Sequence, residues 1–370
     1  MYIYKTNCGT KMTKHKNDES SKFPFVSVCT PTFNRRPFIP IMFECFRNQD
    51  YKKSRIEWII VDDGTDKIED LVLNSGISQI RYFKVEEKMS LGKKRNYMHS
   101  LISPKSKIII YQDDDDYYPP ERISHAVEML QKSPKALCAG SSEIYIYFKH
   151  IRQMYQMGPY NPQHATAGTF AFRRELLNIT KYNDEAELAE EREFLKEYTI
   201  PFIQLNPLKT ILVFSHIHNT FDKKRLLDNP DPRVCRISNK TVESFIRLKK
   251  EDRIKKFFME DIDNLLSNYE PGKTTNKPKM LKQLKELEEK RNAMQTNSPT
   301  QPQLMYSING ESPQQLTLER AMQIIQNQNH RIHYLMRRTV VLEDQYLQLQ
   351  NQTVNILEKW RQQTSFNDEQ

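Results

Sequence analysis

Residues 25–131 predict an α/β domain with a mainly parallel sheet covered by helices on both faces. Three observations carry the prediction. Short apolar runs rich in Val, Ile, Phe and Tyr recur along this stretch. Segments of helical periodicity separate them. Three of the runs end in polar clusters, at Thr30–Arg35, Asp62–Gly64 and Asp113–Asp116. Ligands of parallel sheets bind beyond the carboxyl ends of the strands, so the three clusters are expected to converge.

The elements follow in order. FVSVCTP is a strand and Phe38–Arg47 an amphipathic helix. EWIIVDDG and QIRYFKV are the next two strands, and Ser90–Leu101 is a helix. KIIIYQ is a fourth strand, followed by a helix over Glu121–Gln131. Residues 136–175 are less regular and more antiparallel. EIYIYF and IRQMYQM pair there as a hairpin, and HATAGTFAFRR holds another short strand. YNDEAELAEEREFLKEY is an acidic helix, and FIQLNP and KTILVFS are strand-like. The DNPDP break closes the domain near residue 230. The expected organisation is a disordered tail over 1–22, a domain over 23–230, a helical extension over 231–267, a linker over 268–315 and a coiled coil over 316–364.

The coiled coil rests on a heptad. Leu318, Ile325, Ile332, Thr339, Tyr346, Thr353 and Trp360 recur every seven residues. Ala321, Gln328, Leu335, Leu342, Leu349 and Ile356 follow three residues later. This pattern predicts homo-oligomers; a helix docked on the domain is the other reading.

Composition narrows the function classes. Five cysteines, Cys8, Cys29, Cys45, Cys138 and Cys235, are scattered without C-x-x-C spacing. That argues against a disulfide framework or a zinc site. No apolar stretch is long enough to span a bilayer, and residues 1–22 lack a signal pattern, so a soluble cytoplasmic protein is expected. The net charge of +9 is concentrated in residues 223–291, with 19 basic against 12 acidic side chains. Lys and Glu interleave there at helical spacing, which favours a solvated helix face over nucleic-acid binding.

Ile108 to Arg122, IIIYQDDDDYYPPER, is the most informative stretch. Four adjacent aspartates repel one another, so their place at a strand end needs a cation. A divalent metal that also holds nucleotide phosphates meets that need; a solvated acidic turn is the alternative.

Taken together, the motifs resemble family 2 glycosyltransferases of the GT-A fold, over roughly residues 24–226. The matching elements run in the family's order: VSVCTPTFNR, IIVDDG, GKKRN, YQDDDDYYPPERI, GTFAFRRELL, AEEREFL and SHIHNTFDK. The spellings QDDDDYYPPER and SHIHNTFDK are similar to glycosyltransferases of large DNA viruses. The resemblance implies a nucleotide-diphospho-sugar donor, with Thr30, Pro31 and Thr32 against the nucleoside. Asp63, beside Asp62, would accept from a uracil N–H; Asp-Gly after a strand is also ordinary turn chemistry. Among Lys93, Lys94 and Arg95, the resemblance gives Arg95 the phosphates. Asp113 and Asp115 align with the family's Asp-x-Asp pattern, with Asp114 beside them. Asp115 would be the main ligand of Mn²⁺ or Mg²⁺, and Asp113 would lie near ribose or metal. Asp116 would orient the acceptor or the following turn.

Inverting transfer needs a carboxylate to take the acceptor proton. The resemblance places it at Glu191 or Glu190, where glutamate replaces the family's usual aspartate in the second position. His216 and His218 are spaced to share one strand face; His218 is preferred as the metal ligand, with Asn219 beside it. The implied activity is a metal-dependent inverting transfer from a UDP-sugar to a hydroxyl of a glycan or glycoprotein. A catalytically inactive scaffold of the same fold, oligomerised by the coiled coil, is the rival.

Overall fold

The apolar run after Phe25 forms β1 (Val26–Thr32), the centre of a seven-stranded sheet. In this computed structural model the described residues are 22–188, 191–219, 222–228, 230–296, 305–306, 314–315 and 318–367. The expected tail, apart from Lys22, and Glu190 lie outside them, as does part of the expected linker.

α1 (Ile39–Asn48) leads to β2 (Ile56–Asp62), then α2 (Glu69–Asn74) to β3 (Ile80–Lys84), and α3 (Leu91–Leu101) to β4 (Ile108–Tyr111). β1, β2, β3 and β4 pair in parallel, with β2 on one side of β1 and β4 on the other. Both faces of β2 are buried. Trp58 and Ile60 pack with α1, where Trp58 stacks on Phe46 at 4.2 Å, while Ile59 and Val61 pack towards Met98 of α3. Covering both faces explains why these strands read as continuous apolar runs.

α4 (Arg122–Lys132) precedes β5 (Cys138–Gly140), and β6 (Ile144–Phe148) and β7 (Gln153–Met157) form the expected hairpin. β8 (Ala171–Arg173) joins the main sheet antiparallel to β4 and β5. The acidic helix expected over residues 182–198 shrinks to α5 (Glu191–Phe194). The backbone turns left-handed at Lys196, Glu197 and Tyr198, which ends it. β9 (Phe202–Gln204) completes the order β3-β2-β1-β4-β8-β5-β9. This mainly parallel sheet with flanking helices fits the GT-A fold.

β10 (Leu212–Ser215) and β11 (Cys235–Ile237) flank the hairpin in a second sheet, ordered β10-β6-β7-β11. The chain does not leave the fold at residue 230. α6 (Asp252–Lys256), a π-helical turn over Phe257–Asp261 and α7 (Ile262–Ser267) bury Phe257, Phe258 and Ile262 against Phe38, Ile41 and Phe214. Residues up to 289 belong to this first unit, so the segment read as the start of a linker at 268 is packed. The apolar residues of the extension are spaced for a helix, but whether they meet a core is a long-range matter.

α8 (Pro278–Thr296) is the last helix to begin in the first unit. The second unit, residues 290–370, contains α9 (Leu318–Asn367), 50 residues long. Its heptad residues Ile325, Ile332, Leu335, Leu342, Tyr346 and Leu349 are all exposed, by 51% to 64%. No helix among the described residues is long and apolar enough to cross a membrane.

Candidate functional site

The chain runs from β1 outward through β2 to β3, then returns to add β4 on the other side of β1. Such a reversal opens a crevice beyond the carboxyl ends of β1 and β4. A cleft lies there, lined by Pro31, Thr32, Phe33, Arg35, Lys88, Met89, Leu91, Lys94, Arg95, Asp113, Asp114, Asp115, Glu187, Lys277 and Met280. Its charged groups are five bases and four acids, so it suits neither a simple cation nor a simple anion.

The exit of β1 shapes one wall. Asn34 sits in the left-handed region at φ 52°, a conformation Asn tolerates better than bulkier residues. Its Oδ1 accepts from Asp66 N at 2.9 Å, pinning the reversal to the turn after β2. The next residue, Arg35, is buried, with Nε 3.6 Å from Asp114 and Nη2 3.2 Å from Asp115.

The aspartates are held on both flanks. Tyr117 bridges to Leu212 of β10 through paired backbone hydrogen bonds of 3.0 and 2.9 Å, tying the end of β4 to the second sheet. Tyr118 Oη accepts from Asp113 N at 2.7 Å and donates to Gly168 O at 3.1 Å. Only glycine fits at 168, because a Cβ there would stand 2.6 Å from Asp113 Oδ2. Burial pushes Asp114 up to about 7. Burial would raise Asp115 too, but Arg35 and His216 hold it well below the usual carboxylate range. Asp116 is driven well upward by burial and by the charge of Asp115.

The basic residues of α3 divide three ways. Lys93 is exposed. Lys94 is buried in an ion pair with Asp63 and donates to Thr32 O at 3.0 Å. Arg95 lies 4.4 Å over the Tyr111 ring and 3.9 Å from Asp113 Oδ1, with Tyr111 itself hydrogen-bonded to His99 at 2.6 Å. Phe33 has three ammonium groups around its ring, from Lys88 at 5.2 Å and from Lys94 and Lys277 at 5.8 Å.

The structure brings Pro31, Thr32, Arg95, Asp113, Asp114 and Asp115 into this one cleft. Two other expected positions turn away from it. Thr30 is fully buried; its hydroxyl donates to Gln112 O and accepts from Trp58 Nε1, locking β1 to its neighbours. Asp62 accepts from Gly64 N, Ile68 N and Tyr82 Oη, so it builds the turn. Asp63 accepts from Met89 N at 2.7 Å as well as from Lys94, so both its oxygens are engaged before any base arrives. Glu191 accepts from Ala167 N at 3.1 Å, which sets it beside the Gly168 turn that abuts Asp113.

His216 and His218 do not share a strand face, because β10 ends at Ser215 and a turn follows. His216, not His218, touches the cluster, with Nε2 3.4 Å from Asp115. Asn219 fixes it through hydrogen bonds of 2.8 Å to its backbone and ring. His218 is 1% exposed, and neither of its ring nitrogens has a hydrogen-bond partner among the described residues. Burial lowers both histidines to about 4, so both are neutral at physiological pH.

These donors fit a hard divalent ion completed by substrate oxygens: Asp113, Asp115 and an unpartnered neutral imidazole. Among the described residues no three His, Cys, Asp or Glu side chains converge closely enough to hold a metal unaided. Phe33, Arg35, Glu187, Lys277 and His216 complete the site beyond the expected set. Arg35 stands in the TPTFNR motif itself and was open to notice; Lys277 lies in a segment of linker-like composition and carried no local signal.

Residues 27–188 match the sequence model of glycosyl transferase family 2, so this part of the chain is a glycosyltransferase domain. A search of curated proteins finds no match. Among solved structures, the chain is similar to mannosyltransferase PcManGT from Pyrobaculum calidifontis in complex with GDP-Man and Mn²⁺. The identity is 17%, over 51% of this chain and 56% of that one, with a TM-score of 0.42. It is also similar to S. aureus TarS 1-349 in complex with UDP-GlcNAc, with 18% identity over 51% and 58% and a TM-score of 0.39. The chain thus spans less than two thirds of the length of either structure.

Proposed function

We propose that this chain is a metal-dependent inverting glycosyltransferase that moves a sugar from a nucleotide-diphospho-sugar, a UDP-sugar, to a hydroxyl of a glycan or glycoprotein. The observation that carries the proposal is the joining of Asp113, Asp114 and Asp115 with Lys94 and Arg95 in one cleft of the matched domain. Acids and bases together suit a metal and a diphosphate at once.

Asp113 and Asp115, with His218, would hold Mn²⁺ or Mg²⁺. When bound, the ion stabilises the negative charge that grows on the departing diphosphate. Arg95 adds a fixed guanidinium on the same side. The backbone of Pro31 and Thr32 and the ring of Phe33 form the nucleoside wall, with Asp63 beneath it. Glu191, with Glu190 beside it, takes the acceptor proton. The acceptor oxygen bonds to the anomeric carbon from the face opposite the diphosphate. The glycosyl–phosphate bond breaks, and the nucleoside diphosphate leaves with that electron pair.

The test is turnover of a panel of UDP- and GDP-sugars with Mn²⁺, followed by mass spectrometry. Release of nucleoside diphosphate that Asp115→Ala abolishes is the expected result. Binding without turnover would favour the inactive scaffold, and undiminished turnover in Asp115→Ala would refute the metal assignment.

The apolar stripe of α9 supports homo-oligomers through a coiled coil, since its heptad residues are exposed. Deleting residues 314–370 should reduce the mass seen by light scattering to that of a monomer; an unchanged mass would reject that assembly. The spelling of the acidic motif directs the acceptor search to virion glycoproteins of large DNA viruses.

A further inference from the structure

We infer that Lys277 binds the diphosphate of the donor, carried into the cleft by residues 269–283, a strap outside the family 2 match. This rests on the donor assignment proposed above.

The strap is fastened on both sides of Lys277. Before it, Tyr269 Oη donates to Asp66 at 2.7 Å, and Asn34 Nδ2 donates to Pro271 O at 2.9 Å. After it, Gln283 accepts from Glu187 N at 3.0 Å and donates to Glu185 O at 2.7 Å. The first pair of anchors lies at the exits of β1 and β2. The second lies on the segment before α5, and Glu187 itself lines the cleft. The strap therefore crosses from one wall to the other. Gly272 permits the close approach: a Cβ there would stand 2.6 Å from His218 Nδ1 and 3.0 Å from Asn34 O.

Lys277 is 9% exposed and lines the same cleft as Lys94, Arg95 and the aspartates. A long lysine loses rotamer freedom and hydration when it is buried, so its place there needs an offset. Four acids already face Arg35, Lys88, Lys94 and Arg95, and Lys277 brings the bases to five. A divalent ion would widen that positive excess. The diphosphate supplies the missing negative charge, and an ammonium at the cleft wall serves as a point charge for it. A nucleoside without phosphates offers Lys277 nothing comparable.

The test is calorimetric titration of the full chain with UDP, UMP and uridine in Mn²⁺, with GDP, GMP and guanosine in parallel. The expected result is that Lys277→Gln weakens diphosphate binding about tenfold and leaves the nucleoside unchanged, while Lys277→Arg restores most of the loss. In the unaltered protein, the diphosphate but not the nucleoside should slow acetylation of Lys277 by acetic anhydride, read by peptide mass. Unchanged or tighter diphosphate binding in Lys277→Gln would overturn the inference, as would an equal loss for nucleoside and diphosphate, or equal acetylation rates. Failure of the unaltered protein to bind any nucleoside diphosphate would instead remove the donor assignment, and this inference with it.

Discussion

Residues 27–188 and residues 231–289 both build the first unit, but they hold their charges differently. In the matched domain nearly every buried charge of the cleft has a fixed protein partner: Asp63 with Lys94, Asp114 and Asp115 with Arg35, Asp113 with Arg95. The later segment contributes apolar cover from α6 and α7 and one buried lysine on a strap. The difference separates a rigid charged frame from a part that completes it. The frame fixes where a metal and a diphosphate fit; the strap adjusts how tightly they are held.

The largest expected effect falls on the frame's chemistry. Asp115→Ala should lower turnover by about 10³-fold or more, since losing a metal ligand forfeits several kcal/mol of transition-state stabilisation. Its melting temperature should change little, because the variant also relieves the crowding of like charges. A Mn²⁺-independent activity of normal size would break the contrast between frame and strap.

Next comes the frame's stability. Lys94→Met leaves Asp63 buried with Met89 N as its remaining printed donor, and should cost about 3–5 kcal/mol in urea unfolding. Adding Asp63→Leu should recover much of that loss, as removing both members of a buried pair is far milder. A double variant no better than the single one would show that the ion pair is not the unit that matters.

Acid should loosen both regions by a smaller amount. Burial lowers His99 to about 3 and His216 to about 4, against 6.5 in an exposed chain. The unfolded state therefore takes up protons first as pH falls, so stability is full above 6.5 and declines below it. Each of these two residues should cost about 2 kcal/mol between pH 6.5 and about pH 5. Melting followed across that window checks this; His99→Phe, which keeps the ring against Tyr111 and Phe172, should flatten the slope. An unaltered slope would contradict it.

The smallest effect is on the strap. Gly272→Ala forces His218 or Asn34 to shift and should cost about 1–3 kcal/mol as overpacking. Proteolysis should then cut preferentially near residues 269–283. Uniform destabilisation without local cutting would mean the strap is no separate part.

The same contrast governs what the amino-acid sequence reveals. β1, β2, β4, α3 and the hairpin of β6 and β7 are legible because apolar period and turn residues are local properties. Asp113 to Asp115 are legible because four adjacent carboxylates at a strand end need a cation. The roles of His216 and His218 were exchanged because strand spacing was carried past Ser215, where Asn219 closes a turn. Asp62 looks identical to Asp63 in sequence, yet one builds a turn and the other holds a lysine. Lys277 is 162 residues from Asp115 in the chain, and no local pattern encodes that approach.

The central claim is that the cleft at β1 and β4 binds a metal–nucleoside diphosphate. Thermal melting with UDP and GDP, with and without Mn²⁺, tests it most directly. The account predicts a rise in melting temperature with one of the two nucleotides, dependent on Mn²⁺ and absent in Asp115→Ala, since a ligand that binds only the folded state stabilises it. No rise with either nucleotide, or an equal rise in Asp115→Ala, would contradict it.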